Sequence, residues 1–290
     1  MKIILFVFVF AISTGLYAQG ISSHYKIYDV KKQKLISIDD IVADMAHADV
    51  LFFGEDHNDS VGHYLEAELL KKLHLKYPLK MALSLEMFPT DVQPEVDEYL
   101  AGLISEKNFI KESRVWGNYK DYRPLIEYAK QNGLKVIAAN AATRYSNAVT
   151  FGGLKVLEKF PKTAFNFLPP TPIDTVQGRY YEKFTATLGG HGMGTMKIYQ
   201  TQNLWDATMA WSINNFIKGN KGMKVLQLNG RFHSDEKLGT LARLKQLNPK
   251  LEILNISSFS DEGFTDPKWE KFGQLADYII ITDPTVKRSY

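Results

Sequence analysis

The chain reads as an α/β protein: a central, mainly parallel sheet flanked by helices, with a helical insertion over the C-terminal strand edge. Three features predict this. Short aliphatic runs such as VLFFG, MALSL, KVIAA and KVLQL alternate with longer segments of helical periodicity. Unbroken apolar runs of that length suit strands buried on both faces, as in parallel sheets. Each run also ends in polar residues: Glu55, Asp56 and His57; Glu86; Asn140; and Asn229 followed by His233. In open α/β sheets ligands collect beyond the carboxyl ends of the strands, so function is expected at that edge.

In chain order, residues 25–30 and 34–38 read as a hairpin around Lys31, Lys32 and Gln33, with a helix over 39–46. A first core strand is expected at 49–53. A helix follows at 60–76, with Leu65, Leu69, Leu70 and Leu73 on one stripe, and then a strand at 80–85. Helices are expected between 89 and 132: Pro89 marks a start, Gly117 and Asn118 interrupt, and Asn132-Gly133 is a helix stop. A strand at 135–139 leads to Asn140. The stretch 143–223 carries Pro169, Pro170, Pro172 and the glycine-rich GGHGMG, and reads as the helical insertion, with its longest buried helix at 204–217. Strand 224–228, helix 235–247 and strands 251–256 and 278–281 complete the sheet. One domain over residues 19–290 is expected, its core at about 35–258.

The first 18 residues hold Lys2, an apolar run from Ile3 to Ile12 and a turn-prone stretch ending at Ala18. This pattern predicts a secretory signal cut near Ala18, with Leu16 and Ala18 at the minus-three and minus-one positions; an uncleaved anchor is the alternative. The mature chain is then exported, periplasmic or secreted, with no membrane span. The absence of cysteine excludes disulfides, Fe–S clusters, thiolate catalysis and a lipid-bearing cysteine. The 35 basic and 32 acidic residues balance too closely for a nucleic-acid footprint.

Two turns share one layout. Gly54 to His57 and Gly230 to His233 each run strand, glycine, two residues, histidine. Glycine permits the turn, and Glu55 with His57 can hold a divalent metal or act as a base with its orienting partner. For the first turn alone, a helix-capping cluster, with Asp56, Asn58 or Asp59 satisfying amides of the next helix, is the competing reading. Two imidazoles delivered to one edge are harder to dismiss. Glu86, closing an apolar strand, needs a cation, which His57, His233, Arg144 or a metal could supply. His191 in the glycine-rich stretch fits a mobile connection better than a gating or axial role. His63 and His74 read as surface or packing residues. The 15 tyrosines and 17 phenylalanines could wall a pocket, although aromatic residues are usually core. His-Glu-x-x-His, Gly-x-Ser-x-Gly and Walker A patterns are absent.

The strings LFFGEDHND, LSLEMF, WGNYKDYRPLIEYA, VIAANA with Arg144, QNLWDATMA and LNGRFHS, in that order, resemble the ChaN-like haem-binding uptake proteins of the Tiki, TraB and erythromycin-esterase superfamily. The resemblance implies haem binding, a role in iron acquisition and a subunit contact, hence a homodimer. Tyr122, Tyr145, Tyr180 and Tyr181 become candidate haem ligands, since a tyrosine would suit ferric haem. Arg144, Arg179 or Lys183 would lie near the propionates. In the hydrolytic branches the paired turns hold a metal or activate water. Glu55, His57, Glu86 and His233 would then hold Mn, Co or Zn for a metal-dependent esterase or peptidase, with Asn140 or Asn229 steadying an oxyanion. A third reading is a binding scaffold whose polar edge is a catalytic relic.

Overall fold

The computed structural model describes residues 20–189 and 196–290. The expected signal segment and His191 lie outside the described residues.

An eight-stranded sheet forms the centre: β1 (Tyr25–Asp29), β2 (Lys34–Ile36), β3 (Val50–Glu55), β4 (Met81–Pro89), β5 (Lys135–Asn140), β6 (Lys224–Gly230), β7 (Ile253–Ser260) and β8 (Tyr278–Thr282). Their spatial order is β2-β1-β8-β7-β3-β6-β4-β5. The six strands from β8 to β5 run parallel, and the β1–β2 hairpin joins β8 antiparallel at one margin. The parallel strands are buried on both faces, as their continuous apolar sequence requires: all six residues of β3 are buried.

Helices cover both faces. On one side lie α1 (Ile38–Asp44), α2 (Ser60–Lys76), α3 (Gln93–Leu100), α4 (Glu106–Glu112) and α5 (Tyr119–Asn132). Leu65, Leu69, Leu70 and Leu73 of α2 pack there with Leu51, Phe53 and Leu83. The capping box of α1, in which Ser37 and Asp40 bond reciprocally, sets its start. Gly133, at φ +65, ends α5 in the left-handed conformation that glycine adopts without a Cβ clash. On the other face α8 (Ile198–Gly219) and α9 (Gly239–Leu247) bury Met209, Ile213, Leu241 and Leu244 against Val50, Phe52 and Val225.

The expected insertion divides into two parts. Residues 198–219 are not an addition: α8 packs on β5 and α9 and is the crossover helix between β5 and β6. Short helices, including α6 (Thr143–Gly152) and α7 (Arg179–Thr187), make up the described remainder and have their own apolar clusters. Topology also refines the relation of the first two core strands. The β3 and β4 ends share one edge but are not neighbours, because β6 lies between them.

Candidate functional site

The two glycine turns interlock. β3 pairs in register with β6, Glu55 opposite Gly230, so the turns leave the sheet side by side. A Cβ on Gly54 would stand 2.8 Å from Ser234 Oγ and 2.9 Å from Arg231 Cα; one on Gly230 would stand 2.7 Å from His57 Nε2. Each glycine is thus demanded by the other turn, which gives the repeated spacing a steric cause.

His57 is oriented from beneath. Its Nδ1 lies 2.7 Å from Glu55 Oε1, and the same oxygen accepts the Tyr122 hydroxyl at 2.6 Å. Its ring meets Trp116 edge-on at 5.2 Å. Nε2 has no hydrogen-bond partner among the described residues and sits beside Gly230. Burial opposes charge on this imidazole, but the Glu55 and Glu86 carboxylates outweigh it and raise its pKa.

Behind Glu55 lies a pair that the sequence reading did not assign to the site. His63 is buried rather than at the surface. Its Nδ1 is 3.3 Å from Glu55 Oε2 and 3.2 Å from Glu66 Oε2, and its Nε2 donates to the His57 carbonyl at 3.0 Å. The cause is the cap: Asp59 accepts the Val61 N–H and starts α2 directly after the turn, so its first coils fold back over the end of β3. Burial and the Glu55 charge raise the Glu66 pKa well above the carboxylate range. For Glu55, burial is overcome by bonds from Glu66, His57 and His63, and its pKa falls. His63 is pushed up to about 11, against burial, by these two carboxyl groups. Within the trio the proton is thus favoured on Glu66 and His63 and disfavoured on Glu55.

His233 has a separate support. Its Nδ1 is 2.7 Å from Asp206 Oδ1 of α8, and Asp206 also accepts the Tyr180 hydroxyl at 2.6 Å and the Thr240 hydroxyl at 2.8 Å. Nε2 is 3.4 Å from Glu86 Oε1, while Glu86 Oε2 accepts the Gly230 N–H at 2.7 Å. Although burial opposes it, the carboxylates of Glu86 and Asp206 push the His233 pKa up to about 10. Burial is likewise outweighed at Glu86, whose pKa is lowered chiefly by His233. Asp206 lies within the QNLWDATMA string, and its i, i+4 spacing to Gln202, which also approaches His233 Nδ1 at 3.1 Å, was the available signal.

Glu55, His57, Gly230 and His233 line a pocket of about 400 Å³ with Arg231, Phe232 and Tyr290. Glu86 opens instead into an adjoining pocket, with Asn140 and Trp205. The other expected residues disperse. Arg144 does not serve Glu86; it pairs with Asp91, and Tyr145 accepts its second bond at 3.0 Å. Tyr145 is buried, and the Tyr122 and Tyr180 hydroxyls are occupied by Glu55 and Asp206. Tyr181 alone of the four is exposed, on α7. Arg179 pairs with Glu236, and Lys183 lies over the Phe232 ring at 4.6 Å. The Asn229 amide bonds Ser234 Oγ and the Gly230 carbonyl, holding the second turn. Among the described residues, the group whose ligand atoms converge as a metal site would require is Glu55, His63 and Glu66. Both nitrogens of His233 already face carboxylates.

Chemically, this edge offers two imidazoles, each oriented by a carboxylate at 2.7 Å, one of them with an open ring nitrogen.

Several known proteins are similar to this chain, and the first of them shares its architecture. ChaN of Campylobacter jejuni, a structure described by its cofacial haem binding, superposes with a TM-score of 0.67 at 16% identity, over 90% of this chain and 97% of that one. An erythromycin esterase, EreC, reaches a TM-score of 0.48 at 11% identity, over 91% of this chain and 84% of that one. The Arabidopsis thaliana protein RETICULATA-RELATED 5, chloroplastic, is 23% identical over 145 residues, 46% of this chain. The match spans only 19% of that plant protein's length. The profile of the family described as haem-binding uptake, Tiki superfamily, ChaN matches residues 41–244. The chain belongs to this ChaN family of the Tiki superfamily.

Proposed function

We propose that this protein binds haem at the C-terminal edge of its sheet and takes up or hands on haem in iron acquisition, as a single exported domain behind a cleaved signal. The observation that carries the reading to this edge is His57. Its Nδ1 is held by Glu55 at 2.7 Å and its Nε2 is open beside a pocket walled by Phe232. Imidazoles that ligate metals commonly present one nitrogen while a carboxylate fixes the other. Haem iron, when bound, would supply a Lewis-acidic centre for such a donor. Family membership supports the ligand, and the cofacial haem binding described for ChaN of Campylobacter jejuni supports a contact between two copies.

Titration of the purified chain with hemin, alongside elemental analysis, tests this reading. The expected result is a stoichiometric Soret band that His57→Ala shifts or abolishes and Tyr181→Phe leaves in place. Loss of the band in Tyr181→Phe alone would transfer the ligand role to the exposed tyrosine. No stoichiometric band in the wild-type chain would remove the proposal.

One observation favours a second reading, a hydrolase of ester or amide bonds: two imidazoles, each held by a carboxylate, line one pocket with Gly230. His57 could take a proton from water while His233 supplies one to a leaving group. Turnover of an ester or peptide panel, with and without Mn, Co or Zn, that His57→Ala and His233→Ala both abolish would support it. A chain inert under all these conditions would count against it.

A further inference from the structure

Glu55 divides its two oxygens between two sets of partners. Oε1 is taken by His57 and by the Tyr122 hydroxyl. Oε2 meets His63 of α2, and the ligand atoms of Glu55, His63 and Glu66 all lie within 4.8 Å of one another. His63 and Glu66 stand three positions apart, so the first coils of α2 carry both on one face, toward the end of β3. The His63 ring is fixed in orientation: Nε2 donates to the His57 carbonyl at 3.0 Å, and a carbonyl can only accept. In the neutral ring Nδ1 therefore carries the lone pair, and it faces two carboxyl groups, 3.3 Å from Glu55 Oε2 and 3.2 Å from Glu66 Oε2. Three acceptors converge on one point.

Such a convergence needs positive charge at its centre. Glu55 and Glu66 are 2% and 0% exposed, and among the described residues Glu55 Oε2 and Glu66 Oε1 meet no hydrogen-bond donor. Their ion pairs among these residues are with histidines, not with lysine or arginine. Asp121 Oδ2, itself buried without a donor, stands 3.9 Å from His63 Nε2 and adds a third carboxylate. Protons fill the gap in the metal-free chain, yet the spacing is that of ligands round an ion. Charge-assisted hydrogen bonds run at about 2.7–2.9 Å, and His57–Glu55 and His233–Asp206 are both 2.7 Å. Ligand atoms bound at about 2.0–2.2 Å to a tetrahedral Zn²⁺ stand roughly 3.3–3.6 Å apart. The two contacts of His63 Nδ1 lie at the short end of that spacing.

From this geometry we infer that the trio is a buried site for a divalent transition-metal ion, Zn²⁺ by its mix of imidazole and carboxylate, held by Glu55 Oε2, His63 Nδ1 and Glu66. It is separate from the paired glycine turns, sharing Glu55 with the first and using neither His57, Glu86 nor His233 as a ligand. The outer partners are of the kind that metal ligands commonly have: a backbone carbonyl behind His63, and the Tyr122 hydroxyl and His57 ring on the far oxygen of Glu55. Glu55 also lines the histidine pocket, which gives an ion its route inward. Bound there, the ion ties the start of α2 to the end of β3 and steadies the carboxylate that orients His57. The inference does not depend on the haem reading.

The test titrates chelator-treated, haem-free chain with Zn²⁺ by calorimetry, and with Co²⁺, whose visible bands gain intensity in a tetrahedral site. Wild type is compared with Glu66→Gln and with Glu86→Gln, a matched change of one carboxylate to an amide at the glycine turns. Both substitutions are nearly isosteric, and each variant is first checked for an intact metal-free melt. The expected result is a saturable Zn²⁺ site in the wild type, with intense Co²⁺ bands. Glu66→Gln should weaken it roughly 100-fold or more, beyond the 10- to 100-fold that losing an outer partner costs. Glu86→Gln should bind as the wild type does. Three results each overturn the inference: no saturable Zn²⁺ binding and no intense Co²⁺ bands in the wild type; undiminished binding in Glu66→Gln; or a loss in Glu86→Gln as large as in Glu66→Gln, which would place the ion at the glycine turns.

Discussion

Asp206→Asn is the sharpest probe of the site's electrostatics. His233 is buried at the wall of the pocket, and its imidazolium is sustained by Asp206 at 2.7 Å and Glu86 at 3.4 Å. The amide keeps the volume but has one acceptor oxygen, whereas Tyr180 donates to Oδ2 and Thr240 and His233 to Oδ1, and it removes one of the two charges that hold the proton. Leaving a buried ion without its main partner costs roughly 3–5 kcal/mol. At about 2–4 °C per kcal/mol for a chain of this size, the melting temperature should fall by roughly 6–20 °C. Tyr180→Phe and Thr240→Val, which delete neutral donors to the same carboxylate, should each cost only about 1 kcal/mol. The pH dependence has a definite sign. A pKa raised from 6.5 to about 10 means that the proton stabilises the fold fully below pH 6.5 and that this contribution fades as pH rises through 10. The gap between wild type and Asp206→Asn should therefore be widest below pH 6.5 and narrow as pH rises toward 10. Urea melts across that range, with the His233 ring followed by NMR, provide the assay. A loss below about 1 kcal/mol together with an unshifted His233 titration would refute the reasoning.

Three further outcomes follow from the same geometry. Gly230→Ala should leave stability nearly unchanged, because the half-exposed His57 ring can swing away from the new methyl. Hemin affinity should then fall roughly 10- to 100-fold, the scale of losing a ligand's orienting partner; wild-type binding would contradict the interlock of the turns. Glu66→Gln should change stability by less than about 1 kcal/mol, since Glu66 already carries its proton, whereas Glu55→Gln, which strands two imidazoles, should cost about 3 kcal/mol or more. Chemical denaturation of the two variants at pH 7 decides, and equal losses would refute the assigned protonation. Gln93→Ala should cost about 1 kcal/mol per hydrogen bond removed and promote aggregation, because the Gln93 amide bonds the Val136 carbonyl and the Ala138 N–H at 2.8 Å each, closing the edge strand β5. Light scattering during a thermal ramp, unchanged from wild type, would contradict that role.

Most of the strand ends were legible from the sequence, and so were the two glycine turns. An apolar run buried on both faces is a local pattern, and the glycine that ends it is visible whatever lies beside it. The Gly-x-x-His spacing at 54–57 and 230–233 placed His57 and His233 at one edge before any coordinates. Legibility was poorer for residues delivered by helices. His63 looked like a packing residue because periodicity does not tell where a helix start folds back, and Asp206 had no visible partner because His233 lies 27 positions downstream. Arg144 seemed available to Glu86, yet Asp91 holds it.

By itself the sequence determined the α/β alternation, the buried strands and which chemical groups stand at their ends, since these follow from short-range hydrophobic pattern and backbone freedom. Only the tertiary structure decided the pairings. Inserting β6 between β3 and β4 sets the second histidine turn against the first and brings Glu86 to His233, and docking α8 on β5 brings Asp206 beneath that same ring. Strand order and helix docking are settled by burial over the whole chain, a sum of contacts between distant segments that no local spacing encodes.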